Sequence, residues 1–459
     1  MTIGPAICNH YSMSIETKLK NRRLVTRAWM AVGLMTALLP GLSIAIPQAS
    51  EDSEDEAIQY SRSTPNDAIS RLQKAIDSGA AKLDYNSRNG YLQSVLRQLK
   101  VPSASQILVF SKTSFQRQLI TPDSPRALYY NDHTYIGWVP GAPYLEVSTI
   151  DPRLGTNFYI MEQRAAGKPK FVRQTYECLQ CHTGSMTQGI PGNIMRSVYT
   201  RADGQPDFRA GTFVTTDQSP IEERWGGWYV TGTHGRMRHM GNVIARGGDG
   251  QPTLDREKGA NVIDLRPFVD TTPYLTRHSD IISLLVIEHQ AHVQNLITRA
   301  GYHTRMALRY EQLLNKEIKR PENYRADSTL SRVRSVCEPL VQAMFFSGEA
   351  PLSGPIAGTS GFAGQFEALG VRDRQSRSLR DLDLKNRMMR YPCSYLIYSD
   401  AFNSLPPLAR ETIYSRMWEV LDGKDKTPAF AHLSEADRAA IRGILLDTKA
   451  DFAAAQPKA

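Results

Sequence analysis

The stretch Tyr176-Glu177-Cys178-Leu179-Gln180-Cys181-His182 constrains this chain more than any other. Two cysteines two residues apart, followed at once by histidine, suit covalent haem: both thiols add across the vinyl groups and the imidazole ligates iron. Two intervening residues let both sulfurs reach one porphyrin edge, and the next side chain falls beneath the metal. A thioredoxin-type pair would want a βαβ setting and has no use for His182. A zinc site would need a second ligand pair, and the sequence has no other Cys-x-x-Cys. The expectation is one haem c per chain, with Cys178 and Cys181 as covalent anchors and His182 as proximal iron ligand.

Haem attachment of this kind occurs outside the cytoplasm, and the N-terminus agrees. Lys18, Lys20, Arg22, Arg23 and Arg27 precede an apolar run from Ala28 to Leu39, which Pro40 breaks, and Ser43 and Ala45 follow. Residues 1–46 read as a secretory signal peptide with cleavage after Ala45 and Met13 as an alternative start; an uncleaved membrane anchor is the competing reading. Either places the rest of the chain in the periplasm or outside the cell, with membrane contact only through this segment. The leader carries +4 of the +9 net charge, so about +5 remains, which does not argue for nucleic acid. Cys337 and Cys393 are left after the leader and haem cysteines; they form a disulfide or stay as two buried thiols.

The 459 residues far exceed what one haem needs to be buried. Residues 47–63 are acidic and read as a solvated linker; 64–104 hold two short helices, Asn66–Asp77 and Tyr91–Leu99. Over 105–270 short β-branched and aromatic runs alternate with turn signals such as Asn131-Asp132, Pro140-Gly141 and Asp203-Gly204. The haem motif therefore sits inside a strand-rich region. From 271 to 459 the pattern is helical. Ser279 would cap a helix ending near Ala300 with Gly301 as its C′ residue, and further helices are expected at Met306–Lys319, Leu330–Phe346, Leu408–Leu421 and Ser434–Lys449. The fold class expected is α+β.

Beyond the motif, Arg224-Trp225-Gly226-Gly227-Trp228-Tyr229-Val230-Thr231-Gly232-Thr233-His234-Gly235 and His239-Met240-Gly241-Asn242 resemble a family of large exported single-haem proteins, the cytochrome c domain-containing proteins. Val109–Ser114, Leu285–Gln290 and Tyr391–Tyr395 add to the resemblance, which spans most of residues 100–450. It implies haem c binding and redox activity, and no particular substrate. The chain departs from small cytochromes c, whose motif opens a helical domain, and this puts their usual distal Met in doubt.

The sixth iron ligand separates electron transfer from chemistry at an open iron. Candidates are His234, His239, Met195 and Met240, in that order, with Trp225 and Trp228 as walls of a haem pocket. Met186 lies too close to His182 to cross to the other face. Leu285, His289, His292 and Leu296 share one apolar stripe, so both histidines are either hydrogen-bonded core residues, or His289 or His292 reaches the distal haem pocket as ligand or general base. The function expected is electron transfer through a single haem to an unidentified redox partner. The alternative is a peroxidase- or oxygenase-like haem enzyme.

Overall fold

The computed structural model describes residues 51–247 and 252–457, so the expected signal segment lies outside the described residues. Nine strands form: β1 Ile107–Val109, β2 Arg126–Tyr130, β3 Thr134–Trp138, β4 Tyr144–Asp151, β5 Gly155–Glu162, β6 Phe171–Gln174, β7 Arg196–Val198, β8 Thr212–Val214 and β9 Trp228–Tyr229. The helices are α1 Glu51–Glu54, α2 Ala68–Asp77, α3 Leu92–Gln98, α4 Leu179–His182, α5 Ile281–Glu317, α6 Asp327–Met344, α7 Phe362–Ala368, α8 Asp400–Asn403, α9 Pro407–Leu421, α10 Glu435–Thr448 and α11 Ala450–Ala454. The architecture is α+β: an antiparallel sheet in the N-terminal half and a helical C-terminal region.

The sheet runs β6-β5-β4-β3-β2-β1-β9, with β7 and β8 as a separate hairpin. Its turns form where the side chains supply them. Asn131 accepts the amides of His133 and Thr134 between β2 and β3, and Asp151 accepts those of Arg153 and Leu154 before Gly155, whose φ is +71°. Alternation along the strands makes two apolar faces. Ala127, Tyr129, Ile136, Trp138 and Val147 pack under Ile69, Leu72, Leu92 and Val95 of α2 and α3. On the opposite face Tyr130, Tyr135 and Ile150 join a larger core with Ile282, Val286 and Val293 of α5 and Leu340 of α6. Each such side chain contributes on the order of 1.5–3 kcal/mol by leaving water. The segments expected at 64–104, 105–270 and 271–459 pack as one unit.

Several expectations are corrected. Residues 51–63 are no solvated linker: Ile58 and Tyr60 are fully buried, and the Tyr60 hydroxyl donates to the Thr156 carbonyl. The helix expected to stop at Ala300 continues to Glu317, for 37 residues, and swallows the next one. Gly301 is an interior residue of this helix, where an added Cβ would press first on the Arg305 guanidinium at 3.1 Å, rather than a C′ stop. Asp280, not Ser279, caps this helix, because the Ser279 hydroxyl is committed to the Leu108 amide and the Tyr229 carbonyl. Residues 242–245, at the end of the strand-rich stretch, are irregular. Asn242, at φ +66°, uses its side-chain amide to bond both Val230 N–H and Val230 C=O, which takes the place of a partner strand. Cys337 and Cys393 are both buried free thiols, so the disulfide is absent.

Candidate functional site

The motif forms a single helical turn, α4, that follows the sheet's edge strand β6. Leu179 is its buried anchor, packed with Ile58, Tyr60, Phe158 and Ile190, which leaves Cys181 exposed and Cys178 half-buried. Neither thiol is bonded to another sulfur. Burial pushes the Cys178 thiol up to about 12, with Glu146 adding to the shift. The His182 ring lies 4.7 Å from the Phe158 ring, and its Nδ1–H donates to the Gly192 carbonyl at 2.8 Å. A carbonyl only accepts, so this bond fixes the tautomer and leaves Nε2 as the lone-pair nitrogen. Nε2 makes no hydrogen bond among the described residues.

The loop that receives this bond is held from both sides. Asn295 of α5 accepts the Asn193 amide through Oδ1 and donates to the Asn193 carbonyl through Nδ2, while the Ser148 hydroxyl of β4 donates to Asn193 Oδ1. A Cβ at Gly192 would collide with the Asn295 side chain, so glycine is needed for this approach.

Four buried polar atoms near the motif have no partner: Arg126 Nε, Arg196 Nε, Thr183 Oγ1 and Asn193 Nδ2. Arg126 pairs with Glu146 at 2.6 Å, and both act electrostatically on Cys178 and His182, whereas Arg196 feels Cys181. The unsatisfied Nε–H groups of Arg126 and Arg196, beside two free thiols and an oriented imidazole, suit a haem, whose propionates would take up N–H groups that otherwise cost about 1–3 kcal/mol each. Among the described residues no group of three or more His, Cys, Asp or Glu could hold a bare metal ion. A porphyrin needs only one imidazole from this side, because it brings four nitrogens of its own.

The expected distal residues fall into two groups. Trp228 Nε1 donates to the Arg196 carbonyl at 2.7 Å, which ties the Trp225–Asn242 loop to the residue that senses Cys181. Trp225, at φ +67°, packs edge-on against His239 at 5.2 Å, and the His234 and His239 rings are 4.8 Å apart. Both histidines are buried. His234 Nε2 accepts the Asn261 amide and His239 Nδ1 accepts that of Gly241, while His234 Nδ1 and His239 Nε2 have no partner. Burial pushes His239 down to about 3. Met240 Sδ takes the Ser197 hydroxyl at 3.6 Å, and Met195 is buried in the larger core. His289 belongs elsewhere: its ring stacks 4.0 Å from Phe346 and Nε2 meets the Ser394 hydroxyl at 2.8 Å.

A second polar constellation lies beside the motif's downstream loop. Arg224 and Glu288 form a buried ion pair, and Asp217 Oδ1 lies 3.5 Å from Nδ1 of both His289 and His292. The two histidines hold the Asp217 carboxyl well below its ordinary range, overcoming the burial that pushes it up. Burial pushes Glu288 up to about 7, against the pull of Arg224, and raises Glu349 similarly to about 7. Glu288 and His292 border a cleft of about 390 Å³ whose other wall is Ser185, Met186, Gln188 and Asn193–Met195, the residues that follow His182.

The charged half of this constellation escaped sequence reasoning. Sequence periodicity shows only the His289/His292 stripe; Arg224, Asp217 and Glu288 reach it through tertiary packing.

No known protein family, curated protein or solved structure matches this chain. Its chemistry is therefore carried by these residues alone. Among the described residues no helix is long and apolar enough to cross a membrane.

Proposed function

We propose that the chain is an exported monohaem c-type cytochrome, which passes electrons through a haem anchored by Cys178 and Cys181 and ligated by His182. The observation that carries this proposal is the His182 Nδ1–Gly192 hydrogen bond beside two free thiols. A metal-ligating histidine commonly donates its other ring N–H to a backbone carbonyl, which orients the ring and raises its basicity. When bound, the haem supplies one-electron chemistry; the chain's own part is to orient His182 and to offer Arg126 and Arg196 to the propionates. The test is covalent haem content. Acid–acetone should leave the colour on the protein, a pyridine haemochrome assay should count about one haem per chain, and C178A/C181A should abolish it. Extractable haem, or none in protein matured by a c-type assembly system, rejects the assignment.

A second reading, a haem enzyme, is favoured by one observation. The cleft next to the motif's downstream loop carries two acid–base side chains, Glu288 and His292, which a simple electron carrier does not need.

A further inference from the structure

We propose that the cleft bordered by Glu288 and His292 binds a hydroxylated aromatic reductant of the hydroquinone class, and that His292 accepts its proton as its electrons pass to the haem. This rests on the haem assignment above and names the substrate class that site would serve.

The shape of the cleft comes first. At about 390 Å³ it suits one substituted ring, and Met186, Ile194, Met195, Val214 and Ala291 give it an apolar wall. Two polar atoms at this cleft are buried without partners: Glu288 Oε1 and Asn193 Nδ2. A ligand bearing hydroxyl groups on an apolar ring satisfies both and covers the wall. A formal charge on the ligand is disfavoured, because Arg224 is already committed to Glu288 Oε2 and to two backbone carbonyls.

His292 occupies a boundary. It borders this inner cleft and also an outer, polar one of about 480 Å³, to which Gln218, Arg299 and Gln342 contribute. Its Nδ1 faces buried Asp217, and Nε2 makes no hydrogen bond among the described residues. Nε2, the nitrogen that does not face Asp217, would both take the hydroxyl proton from the inner cleft and give it up to water in the outer one. Asp217 is its positioning residue. For electrons the connection to the motif is short: Asn193 lines the cleft, and the preceding Gly192 carbonyl accepts from His182. In balance, one hydroquinone loses two protons and two electrons to become the quinone. Two ferric chains gain one electron each, and the protons leave through His292.

The experiment uses the haem-loaded full chain with trimethylhydroquinone as reductant and trimethylbenzoquinone as a binding probe that donates no electrons. Binding is read by calorimetry and haem reduction by stopped-flow. Wild-type protein should bind the quinone and show a reduction rate that saturates with hydroquinone. H292Q should keep quinone affinity within about threefold and slow reduction at least tenfold, while dithionite still reduces it fully. S185W, at the exposed rim, and A291F, in the wall, should each lose quinone binding with haem content unchanged. A rate linear in hydroquinone and equal in S185W and wild type means that electrons enter elsewhere, and overturns the proposal. So does an H292Q rate equal to wild type. Quinone binding in a chain without covalent haem would leave the cleft standing and reject the cytochrome assignment; haem without quinone binding does the reverse.

Discussion

Arg224 Nη1 and Glu288 Oε2 meet at 2.9 Å with side chains only 3% and 0% exposed, so a full ion pair lies inside the core. Removing one partner of such a pair leaves a charge that water cannot reach, typically at about 3–5 kcal/mol. Glu288 can escape by taking a proton, because burial already pushes its carboxyl up to about 7. R224M should therefore be strongly destabilised at pH 8 and much less so at pH 5.5. Urea unfolding at both values measures the difference. Equal destabilisation at both would mean that Glu288 does not titrate in this range.

His239 sets a second pH dependence with the opposite sign. Its folded pKa is depressed, so the unfolded chain binds the proton more tightly. The stability it contributes is fully present above about 6.5 and is lost as pH falls toward 3, at up to about 1.4 kcal/mol per pH unit. H239Q should flatten this acid limb in urea titrations between pH 6.5 and 4. A slope identical to wild type would show that another group governs it.

Gly192 and Asn295 should be coupled. G192A places a methyl against the Asn295 side chain, which overpacking typically makes cost about 1–3 kcal/mol. N295A removes the obstacle together with two hydrogen bonds. In a double-mutant cycle the pair should be less destabilised than the sum of the singles by more than about 0.5 kcal/mol. Additive effects would separate the loop from the helix.

Cys337 and Cys393 should behave as core groups. Burial pushes both thiols up, Cys337 to about 12 and Cys393 further. Native protein should resist iodoacetamide at both positions, and unfolding should expose two alkylatable thiols without any reductant. A mass shift on reduction alone would contradict this.

Much of the architecture was legible because it depends on local chemistry. The strands from β2 to β6 follow from alternation and turn residues, and α10 from its Ser434/Asp437 capping box. What sequence hid was long-range. The acidic composition of residues 51–63 concealed Ile58 and Tyr60, whose partners Leu154 and Leu179 lie about a hundred residues on. Gly301 looks like a stop, yet it lies inside α5. The Cys-x-x-Cys-His motif was readable as five consecutive residues; the Arg224–Glu288–Asp217 grouping was not, since it depends on α5 being buried nearly all round at this level. Glu288 then has no solvent face to occupy.

That one unbroken α5 also governs how the cleft can move. Glu288, His292 and Asn295 ride on a rod of 37 residues, about 55 Å long, capped by Asp280, whose carboxylate also grips Thr359 and Ser360. These three side chains cannot be spread apart by hinging the backbone between them. Admission of anything into the cleft must come from the facing side, formed by the loop of residues 183–195 and by Val214–Thr216, and the loop also carries the anchor for the His182 imidazole. Entry past that loop and the orientation of that ring thus share a moving part. Hydrogen exchange should find residues 183–195 opening far more readily than Ile287–Ile297, and whatever occupies the cleft should slow exchange at Gly192 and Asn193 first.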